Sequence, residues 1–293
     1  MGRAAGMIDV DSRVLALLTA VTFGLAPVLI KMAYQRGGTT GTGLILSLVS
    51  ALAVYVALVV VIDPHWELLT LPAVLAFILG GLAGNAIGRR WSFVSIELLG
   101  ASRSSAIRGV SPLLTALLAV AVFGEVVTPV RWAAIVAIVA GAVLVTWLPG
   151  AGRREWLGLG VLYAFGAAAG YGLRPIFIKY GLNIEDTPLA AGLIGAVAAL
   201  IYSLWRENPA GIRITRFDAS FWLFLGAAVI GAIGMASLVF AISMGEISFV
   251  YPLSSIAPLF AVVFTALLLR GVEELSWRLV LGSALIVAGV VLL

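Results

Sequence analysis

Long runs of apolar residues, separated by short polar breaks, constrain this chain more than any other feature of its sequence. A run of about 17 to 25 apolar residues is long enough to cross the roughly 30 Å hydrocarbon layer of a bilayer as one helix. The windows between loop signals predict helices at residues 14–34, 42–62, 72–94, 101–123, 130–148, 156–179, 188–205, 219–243, 247–270 and 276–293. The breaks, one of which is assigned to Arg89-Arg90 near the end of the third helix, are too short to hold a soluble domain. We therefore predict an all-α integral membrane protein with ten transmembrane helices.

The composition agrees with a membrane fold and excludes several kinds of site. Of 293 residues, 62% are hydrophobic and 11% are charged, whereas a soluble domain carries about 25% charged residues. The charges are scattered over short loops and form no basic patch with interleaved aromatics, so we expect no nucleic-acid binding. The chain contains no cysteine, and its single histidine, His65, is expected to be a solvated loop residue. We therefore predict no metal site and no cofactor.

The chain matches itself at an offset of 148 residues. Residues 24–31 align with residues 172–179, with five of the eight positions identical, and residues 138–141 align with residues 286–289. Two such matches at one shift indicate an internal duplication. The first copy begins with the first predicted helix, and the second copy begins with the sixth. Since the first helix ends without a small-x-small cleavage site, we expect it to be retained and not removed as a signal peptide.

The odd number of helices in each copy has a topological consequence. If each half contains five helices, the second half must enter the membrane from the side opposite to the first. We therefore predict two inverted five-helix repeats, over residues 1–149 and 150–293. Inverted repeats place a substrate site near the midplane between the halves and supply two related gates.

Short motifs in both halves resemble those of the drug/metabolite transporter superfamily, specifically the ten-helix EamA-type exporters. The residues that carry the resemblance are Pro27 and Lys31 with their copies Pro175 and Lys179, Ser111-Pro112-Leu113 with Ala257-Pro258-Leu259, and Gly124-Glu125 with Glu273. One departure is the interrupted Gly-Glu pair in Arg270-Gly271-Val272-Glu273. The resemblance implies a secondary transporter that exports small metabolites without ATP, by alternating access.

This resemblance, together with the residue chemistry, leaves several functions open. We expect export of amino acids or related compounds, and the alternatives are an organic-anion or sugar-phosphate exchanger, a multidrug exporter and a channel. An intramembrane enzyme would need a His, Cys or paired Asp group within the bilayer, which the predicted helices lack, so we predict no enzymatic activity. The expected partners are a small-molecule substrate, the lipid bilayer and, as an option, a coupling proton. We expect a monomer or homodimer in the cell membrane, in a bacterium the inner membrane.

The distribution of Lys and Arg indicates an orientation. Of the 18 basic residues, four fall on the side of the termini, twelve fall on the opposite side, and Arg108 and Arg174 lie within helices. The positive-inside rule therefore places both termini outside the cytoplasm, whereas the resemblance to EamA-type exporters suggests cytoplasmic termini.

The two arginines within the predicted helices are the first candidates for substrate binding. Arg174 precedes Pro175 at a position where the first half has Ala26, and a guanidinium among apolar residues is expected to face water, a partner or a substrate. The alternative is that Arg174 snorkels to the nearby helix end. Arg108 lies four residues after Ser104 and three residues before Ser111. This spacing places the three side chains on one face of a helix.

A second polar stripe lies in the ninth helix. It contains Tyr251, Ser255 and Pro258, and the alternative role of such small residues is to let helices approach closely. A cavity that holds an arginine beside Tyr171 and Tyr251 would suit an amino acid, with its carboxylate and apolar body. It would equally suit an organic anion or a sugar phosphate, because a guanidinium binds both oxyanion types. The four prolines at positions 27, 112, 175 and 258 are expected to kink their helices.

Other polar residues near helix ends are candidates for coupling or gating. Glu97 and Glu246 occupy comparable places in the two halves; either would bind a coupling proton if it were buried, and the alternative is an exposed loop carboxylate. Asn85 lies in a glycine-rich helix and either hydrogen-bonds the substrate or belongs to a close-packing segment. Lys31 and Lys179 are most simply interfacial anchors, with gate salt bridges as the alternative.

Overall fold

The described part of this computed structural model is built entirely from helices. It comprises residues 11–62, 69–123, 128–146, 158–206, 217–244, 250, 253–254, 256–269 and 276–292. In chain order the helices are α1 (Ser12–Gln35), α2 (Thr40–Ile62), α3 (Leu71–Leu99), α4 (Ala101–Arg108 and Ser111–Phe123), α5 (Pro129–Thr146), α6 (Leu159–Ile184), α7 (Pro188–Arg206), α8 (Ala219–Met244), α9 (Ala257–Leu268) and α10 (Trp277–Leu292).

Seven of the helices in the described residues are long and apolar enough to cross a membrane. They are α1, α2, α3, α4, α6, α7 and α8, and the three shorter apolar helices lie within α5, α9 and α10. The predicted all-helical membrane fold is confirmed, with every predicted helix overlapping one that the structure describes. The count of ten membrane spans stays a prediction.

Two predicted boundaries are wrong for a physical reason. The break expected at Arg89-Arg90 is absent, because α3 continues to Leu99 and ends only at Gly100, whose φ of 90° favours glycine. The sixth helix extends to Ile184 and not to residue 179. In both cases a charged residue inside a helix was interpreted as a loop signal, although the apolar pattern continues beyond it.

The glycine-rich segment of α3 forms a π-helix over Gly81–Gly88 and packs closely on α6 and α7. A Cβ built on Gly81 would collide with the carbonyl oxygen of Gly195 in α7, and one on Gly88 would lie 3.4 Å from the Cα of Gly170 in α6. Helices in lipid associate largely through such van der Waals packing of small residues. π-helical turns are rare and often mark functional sites, and this one lies beside the cavity described below.

The four prolines occupy two kinds of position. Pro27 and Pro175 lie inside α1 and α6, where each removes a backbone donor. Pro112 and Pro258 are the second residues of the helices Ser111–Phe123 and Ala257–Leu268, where a missing N–H breaks no hydrogen bond of the helix. In α4 the interruption falls at residues 109–110, so the proline begins the second part of this helix.

Contacts between the two halves are reciprocal. The contacts of α1 with α8 and α9 have counterparts in those of α6 with α3 and α4, and the contact of α2 with α8 has its counterpart in that of α7 with α3. A Cβ on Gly24 would lie 2.9 Å from the carbonyl oxygen of Ala257, and a Cβ on Gly172 would lie 2.9 Å from that of Ser111. Gly172 is 148 positions after Gly24, and Ala257 is 146 positions after Ser111.

The pair of helices α5 and α10 shows the same relation within a single interface. A Cβ on Gly141 would lie 2.8 Å from the Cγ1 atom of Ile286, and one on Gly289 would lie 2.7 Å from that of Ile138. Residues 138 and 141 correspond to 286 and 289 at the offset of 148. The earlier residue of each helix meets the later residue of the other, so the two helices run antiparallel. The duplicated segments therefore meet face to face with opposite chain direction.

Candidate functional site

A cavity of about 170 Å³ lies where the two halves meet. Its walls come from the middle of α1, α6 and α8, the C-terminal part of α3 and the first half of α4, with Ser47 of α2 and the start of α9. Pro27, Pro175 and Pro258 all line it, so the helix interruptions surround the cavity. Its volume is far above the space that one water molecule needs, which makes it large enough for a small metabolite.

Three arginines line the cavity: Arg89, Arg108 and Arg174. Arg174 is 6% exposed and Arg89 is 9% exposed, so both are buried within the bundle. None of the described residues that line the cavity is acidic. Because a buried charge is costly unless an opposite charge or polar groups compensate it, this concentration of positive charge is the most distinctive chemical feature of the described structure.

Arg108 is held by the helix that carries it. Its Nε donates to the carbonyl oxygen of Ser104 at 3.3 Å and its Nη2 donates to the Oγ of Ser105 at 2.9 Å. It is the last residue of the first part of α4, where helix carbonyls favour a cation. Its Cζ lies 5.9 Å from the centre of the Tyr171 ring, within the range of a cation–π contact.

The serine stripe on α4 differs in detail from the predicted one. Ser105 and Ser111 line the cavity, whereas Ser104 does not. Ser104 is fully buried, and its Oγ lies 2.5 Å from the Oγ of Ser95 in α3. Ser104 therefore joins α4 to α3, and its backbone carbonyl, not its hydroxyl, contacts Arg108.

Arg174 lies among α3, α6 and α8 and does not extend toward the helix end. Its Nη1 donates to the Sδ of Met235, and its Nε is enclosed without a hydrogen-bond partner in the described structure. The absence of a side chain on Gly84 makes room for it, because a Cβ there would collide with the Cδ of Arg174. The snorkelling alternative is therefore inconsistent with this geometry.

Arg89 belongs to the same cavity and was missed by the sequence interpretation, which assigned it to a break. Its Nη1 donates to both the carbonyl oxygen and the Oγ of Ser47, each at 3.3 Å. Arg89 lies within electrostatic reach of Arg174 and Tyr171. The signal that would have found it is the pattern of serines and apolar residues that continues from position 91 to 99.

The remaining substrate-binding candidates do not all reach the cavity. Tyr171 lines it, and so does Ser254, which was not predicted. Asn85 is 4% exposed and lies outside the cavity lining, with its Oδ1 enclosed and without a hydrogen-bond partner in the described structure. Tyr251 and Ser255, which were predicted to contribute, lie outside the described residues.

The coupling and gating candidates that the structure describes, Glu97, Lys31 and Lys179, lie outside the cavity lining. Glu97 is exposed near the end of α3; its backbone oxygen accepts from the Nζ of Lys31 at 3.2 Å, and its Oε2 accepts from Thr40 at 2.8 Å. These bonds join the end of α1 and the first residue of α2 to the end of α3. Lys179 is partly buried within α6, and Glu246 lies outside the described residues.

The positions that the duplication pairs with the three arginines also line the cavity but carry uncharged residues. The offset of 148 pairs Arg174 with Ala26. In α3, α4, α8 and α9 the offset is 146, as shown by the identical pairs Ala86-Ile87-Gly88 with Ala232-Ile233-Gly234 and Pro112-Leu113 with Pro258-Leu259. This offset pairs Arg89 with Met235 and Arg108 with Ser254. Both members of each pair therefore line the cavity, but only one member of each pair is charged.

Comparison with known proteins gives three findings. The model of the EamA-like transporter family matches residues 13–147 and, a second time, residues 158–293. An uncharacterized protein from Methanocaldococcus jannaschii is 32% identical over 127 residues, which cover 42% of this chain and 87% of that protein. That relative is therefore about as long as one half of this chain. A crystal structure with 23% sequence identity has the same fold, with a TM-score of 0.62 over 94% of this chain and 95% of that chain.

Proposed function

Because the chain belongs to the EamA-like transporter family, we propose that it is a secondary transporter of small anionic metabolites that works by alternating access. The observation that carries the proposal is the set of three arginines in one cavity whose described lining residues include no acid. A guanidinium keeps its charge in proteins and binds carboxylates and phosphates with two parallel hydrogen bonds. An anionic substrate would supply the charge that the described lining lacks.

The mechanism that we propose uses the duplication. Ten spans would form two inverted five-helix units, residues 1–149 and 150–293, that rock around the cavity and open it to one side at a time. The double family match supports two units, and the antiparallel reciprocal contact of α5 with α10 supports their inversion. The prolines and the π-helical segment beside the cavity interrupt regular helices where such a motion would bend them.

The walls of the cavity indicate the rest of the substrate. Phe23, Phe93 and Leu238 line it together with other apolar residues, so an apolar portion of the substrate would be removed from water there. Arg174, with an unsatisfied Nε, is the group that we expect to gain most from a bound oxyanion. Tyr171, beside Arg108, would contact the body of the substrate.

Amino acids, the leading expectation from the sequence, become the second candidate. Their carboxylate would bind an arginine, but their ammonium group would find only hydroxyl, carbonyl and ring acceptors among the described lining residues. Cationic drugs would meet three like charges and are disfavoured for that reason. A coupling proton stays an expectation, as do a cell-membrane location, in a bacterium the inner membrane, and a monomeric or dimeric state.

The test begins with ligand-induced stabilisation of the purified protein. A ligand that binds only the folded state raises the melting temperature, so carboxylates, phosphate monoesters, zwitterionic amino acids and cationic drugs are compared at equal concentration. We expect the anions to give the largest shifts. Stabilisation by cationic drugs alone, or by amino acids alone, would overturn the anion proposal.

Counterflow in liposomes then tests transport of the best ligand. We expect saturable exchange, which a channel would not show, and a loss of at least about tenfold in Arg174→Ala, because hydrogen bonds to charged groups contribute about 1.5–3 kcal/mol. Arg206→Ala, at an exposed residue that ends α7, is the matched control and should transport normally. Full activity in Arg89→Ala, Arg108→Ala and Arg174→Ala would exclude the cavity as the substrate site.

A further inference from the structure

The positive charge of the cavity exceeds what a single carboxylate can neutralise. Arg89, Arg108 and Arg174 all line it, and none of the described lining residues is acidic. A monovalent anion would therefore leave two of the three guanidinium charges without an opposite charge, whereas a divalent anion would leave one. Each additional negative charge on the ligand should then strengthen binding. The like charges of the arginines repel one another in a common cavity, and an anion compensates this repulsion.

The duplication pairs each of these arginines with an uncharged residue. The paired positions carry Ala26, Met235 and Ser254, each of which lines the same cavity. Since the other half places uncharged residues at these positions, a role of the three guanidinium groups in binding is favoured over a role in helix packing. Their charge is then available to what the cavity binds.

The arginines form two groups. Arg174 packs its stem on Gly84, and it lies within electrostatic reach of Arg89 one turn further along α3. Arg108 lies on α4, where its Cζ is 5.9 Å from the Tyr171 ring centre. Tyr171 is within electrostatic reach of Arg89 as well, so its ring is near both the Arg89–Arg174 pair and Arg108.

The Arg89–Arg174 pair retains donors for a ligand. Arg89 donates to Ser47 from Nη1 alone, so its Nε and Nη2 make no hydrogen bond within the described structure. Arg174 has an enclosed Nε without a partner. An oxyanion beside this pair would accept from both guanidinium groups, and a second one would bind Arg108 beside the Tyr171 ring.

We propose that the cavity selects compact anions with two negatively charged groups, such as dicarboxylates, with one group on the Arg89–Arg174 pair and the other on Arg108. This inference rests on the proposed function, because it specifies the substrate class of the same site. It predicts that, among ligands of equal size and shape, binding strengthens with the negative charge of the ligand.

The experiment compares ligands that differ in charge and little else. Succinate, its monoamide succinamate and its diamide succinamide carry two, one and no negative charges at neutral pH, and phthalate with phthalamate gives a second, aromatic pair. The concentration that half-saturates the thermal shift of the purified full chain is measured for each. We expect the dianion of at least one pair to bind about tenfold more tightly than its monoamide, as expected for one more hydrogen-bonded charge pair.

Variants in which an arginine is replaced by the residue of its paired position identify which arginines cause the preference for the dianion. Arg89→Met and Arg108→Ser should each reduce the preference for the dianion to less than about threefold, because each removes one charged hydrogen-bond partner. Arg206→Ala should keep it. Met235 and Ser254 occupy the paired positions in the same cavity, and the melting temperature without ligand checks that each variant folds.

Each outcome decides the inference. Equal binding of dianion and monoamide in both pairs, or no binding of any of these probes, overturns it, as does a preference that survives in both variants. Equal binding of the two anions would leave the proposed anion transport intact. If none of the anions binds while a zwitterion or cation is transported, the proposed function fails as well.

Discussion

The crossing of α5 and α10 gives a prediction that tests the duplicated geometry directly. A Cβ on Gly141 would lie 2.6 Å from the carbonyl oxygen of Gly282, and one on Gly289 would lie 2.6 Å from that of Ala134. Both distances are well short of the 3.4 Å at which ordinary contact begins, and in each case the obstacle is backbone, which cannot rotate away. Gly141→Ala and Gly289→Ala should therefore destabilise the protein by nearly equal amounts.

The magnitude follows from two opposing effects. Overpacking costs about 1–3 kcal/mol, and we expect the upper half of that range because the obstructing atom is backbone. Replacing Gly with Ala in a helix recovers about 1 kcal/mol. The net loss is then about 1–2 kcal/mol, which corresponds to a fall of a few degrees in melting temperature.

The assay is thermal unfolding of the purified variants in one detergent, with Gly231→Ala as the control. Gly231 lies in α8 with no atom within 4 Å of a Cβ built on it, so its substitution should leave the melting temperature unchanged or slightly higher. A wild-type melting temperature in Gly141→Ala or Gly289→Ala would refute the close approach. Clearly unequal losses would refute the two-fold relation between the two contacts.

Two further substitutions separate the cavity from its surroundings. Gly84→Ala should lower counterflow by at least about tenfold without removing a charge, because its Cβ would displace the Arg174 side chain and cost it a charged hydrogen bond. Activity equal to that of Gly226→Ala, a glycine of α8 that lies outside the cavity lining, would contradict this. Glu97→Gln should lower stability by less than about 1 kcal/mol, since exposed polar contacts contribute little, and should leave transport intact, because Glu97 is exposed and outside the cavity lining. A transport rate that no longer depends on pH in Glu97→Gln would instead assign it a coupling role.

The membrane fold could be predicted because it depends on long-range repetition of one property. Runs of apolar residues long enough to cross a bilayer are recognised directly in the sequence. The duplication is recognised as well, because residues 24–31 and 172–179 are identical at five of eight positions. The second offset, of 146 residues, is carried only by short matches such as Pro112-Leu113 with Pro258-Leu259, and it pairs Arg89 with Met235 and Arg108 with Ser254. The duplication is therefore harder to detect in the sequence at the positions where one half carries an arginine and the other does not.

The site was only partly predictable for a different reason. Arg108, Arg174 and Tyr171 could be proposed from their positions inside apolar helices, and the structure brings them to one cavity. Arg89 could not, because an Arg-Arg pair resembles a loop until it is known that α3 continues beyond it to Leu99. The choice between Ser104 and Ser105 depends on helix rotation, which the spacing of residues alone does not determine.

The central claim is that the two halves are inverted copies that enclose one anion-binding cavity, and the absence of cysteine from the chain makes it directly measurable. Gln35 ends α1, and Asn183, its counterpart at the offset of 148, lies one residue before the end of α6; both side chains are exposed. Single variants Gln35→Cys and Asn183→Cys are labelled with a membrane-impermeant maleimide in vesicles of known orientation, and with a permeant one as the control for reactivity. The account predicts that the impermeant reagent labels one of the two and not the other. Labelling of both from the same side would contradict the inversion and, with it, the alternating-access mechanism.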